Sequence, residues 1–203
     1  IGHSGKVLFM RIFLSVLILI FSLNCWAKAD DVKEFEIEGM SIGDSLLDYV
    51  DKSQLKDFVY PYPNKNFKGV LFKHLSNEYD AIQFSVKDND DKFIIHNISA
   101  KLYFPNKYKE CLEKMILITE AFNSVISDTT RTQVKNNIKR SKVSDPSGKS
   151  IWSYRAYYFE DGSSAQVFCT DWSEEISKNK GYIDELKAAF YSEEFSEFLY
   201  SLN

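Results

Sequence analysis

The feature that most constrains this chain is a stretch in which apolar and polar side chains alternate. Ile82, Phe84 and Val86 are interleaved with Gln83, Ser85 and Lys87, the period of two that suits a strand with one buried face. Residues 88–91 (DNDD) read as the turn that follows, and a return strand places Ile94, His96, Ile98, Ala100, Leu102 and Phe104 on one face. With residues 70–75 as a further strand, this region reads as an antiparallel meander.

The period then lengthens. Cys111, Leu112, Met115, Ile116, Thr119, Phe122, Val125 and Ile126 recur at helical spacing after Pro105 and Asn106, which predicts an amphipathic helix. Residues 128–150 are polar and lysine-rich and read as a long excursion or a frayed helix. Two more strands are expected near 151–159 and 164–170, with Asp161 and Gly162 supplying a tight turn. Helical segments are expected over 182–190 and 193–202, the second capped by Ser192. Ahead of the meander, residues 35–50 read as an extended piece, a glycine-bearing turn and a helix capped by Asp44 or Ser45, with Leu46, Leu47 and Val50 facing inward. The expected fold is α+β: an antiparallel sheet of about five strands in two meanders, with helices packed on one face.

Residues 12–23 (IFLSVLILIFSL) follow Arg11 and precede small residues at Ala27 and Ala29, the layout of a cleaved secretory signal. The run is short of the roughly 20 apolar residues that span a bilayer. Asn24 before Cys25 does not make a lipoprotein box. Met10 stands where a signal peptide would begin, so residues 1–29 are expected to be upstream residues and leader, and 30–203 a single domain. The chain carries 25 basic and 29 acidic residues, a net charge of −4, and loss of Lys6, Arg11 and Lys28 deepens that excess. Nucleic acid and anionic membranes are therefore not expected partners, nor is stable membrane insertion after processing.

Without Cys25, the remaining thiols are Cys111 and Cys169. Two cysteines have one connectivity, and in an oxidising compartment they pair if the fold brings their Cα atoms within about 6 Å. The bond would staple the helix to the sheet and close a loop of about sixty residues, worth on the order of 4 kcal/mol.

The catalytic motifs are incomplete. Gly43, Asp44, Ser45 and Leu46 spell the signature of GDSL hydrolases, yet no histidine follows His96 to act as base, and capping accounts for Asp44 and Ser45. Gly148, Lys149 and Ser150 resemble a phosphate loop, but Val143 stands where its first glycine belongs. Residues 88–91 resemble a calcium loop, but Lys92 occupies a ligand position and Ser99 replaces the bidentate glutamate. His74 and His96 fall on predicted strands without metal-ligand spacing, and His96 reads as a hydrogen-bonded core residue. Asp171, Trp172, Glu174 and Glu175 form an acidic and aromatic cluster that reads either as a helix start or as a binding edge.

Residues 35–50 (FEIEGMSIGDSLLDYV), 167–175 (VFCTDWSEE) and 94–99 (IIHNIS) resemble uncharacterised secreted proteins of marine alphaproteobacteria of the Pelagibacter kind. Gly39, Met40 and Ser41, followed by a helix and a meander, are similar to the opening of small outer-membrane-assembly and β-lactamase-inhibitor-like domains. The resemblance implies a bacterial periplasmic or secreted setting and carries over no activity. With no complete catalytic set, metal spacing or cofactor loop, the expectation is a non-enzymatic domain without cofactor. It would bind a protein, peptide or envelope component through a sheet edge or the helix-free face; a small serine esterase is the alternative.

Overall fold

Eight strands pair edge to edge because nearly every alternating segment finds an antiparallel neighbour. A computed structural model of the protein describes residues 28–55, 59–62, 66–73, 75–142 and 144–202. The expected leader, Ala27 and His74 lie outside the described residues. The strands are β1 (Val59–Pro61), β2 (Phe67–Phe72), β3 (Ala81–Lys87), β4 (Asn97–Tyr103), β5 (Arg131–Lys139), β6 (Ile151–Tyr158), β7 (Ser164–Asp171) and β8 (Glu185–Tyr191). Their order is β1-β2-β3-β4-β8-β7-β6-β5. The sheet is open and antiparallel with eight strands where about five were expected, and β8 lies at its centre between β4 and β7. The helices are α1 (Lys52–Leu55), α2 (Tyr108–Val125), α3 (Glu174–Lys180) and α4 (Glu193–Ser201).

One face carries the main core. Val70, Ile82, Phe84, Ile98, Ala100, Val167, Cys169, Leu186, Ala188 and Phe190 pack there under α2 and the N-terminal segment. Phe35 stacks on Phe190 with ring centroids 5.0 Å apart, and Phe122 of α2 lies 5.9 Å from the same ring. The helical stripe is narrower than the sequence suggested. Cys111, Met115 and Phe122 are buried, whereas Ile116 is 49% exposed, so the inward row steps through positions 111, 115, 118 and 122. Cys111 and Cys169 are disulfide-bonded, with Cα atoms 5.9 Å apart.

Helices are not confined to that face. Phe195 and Phe198 of α4 pack on the opposite side, against Phe67, Ala189 and Tyr191. Ser192 caps α4 by accepting from the amide of Phe195 at 3.2 Å, as expected. Three segments differ from the sequence expectation. Residues 182–190, expected to be helical, contain β8; the apolar side chains at 183, 186 and 190 mimic helical spacing, and pairing on both sides overrides local propensity. Residues 128–150 contain β5, an exposed edge strand whose register shifts between Lys135 and Ile138. Residues 46–48 make a 3-10 turn rather than a full helix, although Ser45 caps it and Leu46 and Val50 are buried.

Candidate functional site

The residues singled out by sequence are mostly structural. Ser45 accepts from the amide of Leu47 at 3.2 Å and its hydroxyl donates to the Lys92 carbonyl at 2.7 Å. Asp44 accepts from the Ser41 amide and the Tyr49 hydroxyl. Asp90 accepts from the amides of Lys92 and Ile94, which closes the turn at 88–91. His96 does not share the face of Ile98. Its amide donates to the Ser85 carbonyl while Asn97 is the register partner of Ser85, so two residues oppose one, as in a β-bulge, and the alternation slips. The ring then lies against Phe67 at 5.4 Å, with Nδ1 3.1 Å from the Ser192 hydroxyl. Ser173 caps α3, with Glu174 and Glu175 in its first turn; both acids are exposed and Asp171 sits at the end of β7. Trp172 alone of that cluster reaches a feature with chemical character.

That feature is a recess on the face opposite α2, beside the patch covered by α4. Strand alternation puts Gln83 and Ser85 of β3, Asn97, Ser99 and Lys101 of β4, Phe168 and Thr170 of β7, and Glu185 and Lys187 of β8 on its floor. The register pairs Lys101 with Lys187 and Thr170 with Glu185. Tyr60 and Tyr62 wall one side. On the other side the chain leaving β5 carries Arg140, whose guanidinium carbon lies 4.5 Å from the Trp152 ring centroid and 5.0 Å from that of Trp172. Local hydrogen bonds set this clamp. The Arg140 amide donates to the Ser150 carbonyl, Asp145 ties the intervening loop through the amides of Ser147 and Ser150, and Asp184 accepts from the amide of Trp172 at 2.8 Å. Tyr182 closes the rim, its ring 4.9 Å from Trp172.

A polar chain crosses the floor. The Lys187 ammonium donates to Gln83 Oε1 at 3.4 Å, and Gln83 Nε2 donates to the Tyr62 hydroxyl at 3.4 Å. That hydroxyl is 3.0 Å from the Ser85 hydroxyl, which accepts from Asn97; Ser99 in turn donates to Asn97 at 2.7 Å. Lys101 is neutralised by Glu185 at 3.0 Å, both side chains being at most 15% exposed. Lys187 and Arg140 make no ion pair among the described residues.

Donors therefore exceed acceptors. An ammonium has three donors and a guanidinium five, and Lys187 makes one long hydrogen bond. Arg140 Nε and the hydroxyl of Thr170 are buried without a partner, and Thr170 is 0% exposed. Lys187 keeps partial solvent access although protein atoms crowd it. Burial, reinforced by Lys101 and Arg140 and opposed by Glu185, pushes its ammonium down to about 7. Burial likewise lowers the Arg140 guanidinium, with Glu185, Tyr191 and Tyr182 acting against it. Burial of charge is costly unless a counter-charge is supplied.

Sequence reasoning missed Lys101, Arg140, Thr170 and Lys187. The signal for Lys187 was a lysine amid apolar residues (ELKAAF), legible only once that segment is known to be a central strand. No family model matches the chain, and no curated protein or solved structure matches it.

Proposed function

We propose that this chain is an exported, non-catalytic binding domain whose recess captures the anionic group of a ligand. The observation that carries the reading is the pair of half-buried cations, Arg140 and Lys187, which have no ion pair among the described residues. An anion there would supply the acceptors and counter-charge that the fold leaves out. A local positive site on an acidic protein also gives selectivity, because the surrounding surface repels anions elsewhere. The disulfide supports an oxidising setting, and among the described residues no helix is long and apolar enough to cross a membrane. Ser45 lends no support to a hydrolase, since its hydroxyl is committed to a backbone carbonyl.

Tryptophan fluorescence tests the reading directly, because Trp152 and Trp172 hold Arg140. Carboxylate or phosphate salts should change the emission saturably at constant ionic strength. The change should disappear in R140Q and K187M variants whose circular dichroism matches the parent. An unresponsive parent protein would end the proposal.

A further inference from the structure

The geometry points to a specific class of occupant: a monocarboxylate joined to a flat apolar body, such as an aryl acid. This inference rests on the anion-binding reading of the recess and deepens it.

The shape of the donor favours a planar acceptor. A guanidinium can be approached across its two faces or along its N–H edge. The guanidinium carbon of Arg140 lies 4.5 Å from the Trp152 ring centroid and 5.0 Å from that of Trp172, and its N–H edge is the approach that offers an anion two parallel donors. A carboxylate is planar and accepts two parallel N–H bonds in that plane. A tetrahedral oxyanion prefers donors converging from several directions, commonly backbone amides at a helix N-terminus. The floor here is sheet, whose amides are committed to strand pairing.

Charge points the same way. Lys101 is matched by Glu185, so among the described residues the uncompensated cations of the recess are Arg140 and Lys187. Lys187 is the adjustable member, since its crowded ammonium can shed a proton near neutrality. One negative charge offsets the permanent guanidinium and holds the proton on Lys187, whose ammonium then donates to the second lone pair of the same carboxylate.

The remaining surface is aromatic. The Lys187 ammonium lies over the Phe168 ring, 5.6 Å from its centroid, and that centroid is 5.8 Å from the one of Trp152. Tyr60 lies over Gly69 on one side and Tyr182 lies 4.9 Å from Trp172 on the other, so both rims carry aromatic side chains. Such walls accept a flat apolar group by stacking or edge contact, and a body of that kind gains affinity beyond what the carboxylate alone supplies.

Isothermal calorimetry on the intact, oxidised domain separates the levels of the argument, with acetate, inorganic phosphate, phenylacetate and phenylacetamide as probes. Phenylacetate should bind at least tenfold more tightly than acetate or phosphate, and the amide should show no heat. R140K, which keeps the charge but not the paired N–H edge, should weaken phenylacetate by several-fold while its circular dichroism matches that of the parent. If acetate or phosphate binds as tightly as phenylacetate, the aryl-acid class is wrong and the anion site stands. If the amide binds as well as the acid, or if none of the four binds, both the class and the anion site fail.

Discussion

The ring of Tyr60 occupies the space above the α-carbon of Gly69, its register partner across β1 and β2, so that a methyl group at 69 would overlap the ring. Absence of a side chain at 69 is what lets Tyr60 lie flat over the sheet and wall the recess. A G69A variant should lose about 1–3 kcal/mol, the usual cost of overpacking a filled site. Urea unfolding would show this as a lower midpoint. Phenylacetate affinity should fall in the same variant, whereas a stable variant with unchanged affinity would remove Tyr60 from the wall.

Lys187 should make both stability and binding depend on pH. Its folded value, about 7, lies below its ordinary 10.5, so the unfolded chain binds the extra proton between those limits. Stability contributed by this group is therefore present above pH 10.5 and is lost as pH falls toward 7. K187M should be more stable than the parent at pH 7, by about 1–4 kcal/mol on the precedent of buried charges replaced by apolar groups, and should flatten that slope. Anion affinity should weaken above pH 7 in the parent, as bound ligand must then recruit a proton. Calorimetry in two buffers of different ionisation enthalpy would detect the proton uptake.

His96 gives a separate window. Burial lowers its imidazole below 6.5, aided by Lys87 and opposed by Glu194 and Asp90. The contribution is complete above pH 6.5 and is lost as pH falls through the depressed folded value. Replacement by glutamine should remove this slope, read as the urea midpoint between pH 7 and 5. An unchanged profile would show that the imidazole does not set it.

The staple between α2 and β7 should be worth on the order of 4 kcal/mol in the chain-entropy model. Paired C111S and C169S substitutions should lower the melting temperature by roughly 10 °C for a domain of this size. Mass spectrometry of the non-reduced protein should find one internal bridge, and two free thiols would contradict the structure.

Ser45 separates binding domain from esterase. S45A should cost about 1 kcal/mol through the lost cap, and a fluorophosphonate should leave the parent unlabelled. Stoichiometric labelling at Ser45 would revive the hydrolase.

Local chemistry reached far into this fold. The strands β3, β6 and β7, the helix α2, and the caps at Ser45 and Ser192 were legible because each rests on residues adjacent in sequence: an alternation, a helical stripe, a hydroxyl before a helix. Cys111 and Cys169 were legible by elimination. What the sequence hid was β8. Residues 185–190 (ELKAAF) favour a helix by local propensity, and they become a strand only because β4 and β7 present free edges on either side. The recess was hidden for the same reason. Lys101, Arg140, Thr170 and Lys187 are separated by up to 86 residues in the numbering, and nothing local distinguishes them from solvated side chains. Strand order brings them to one face, where Glu185 matches Lys101 and the donors of Arg140, Thr170 and Lys187 outnumber the acceptors around them.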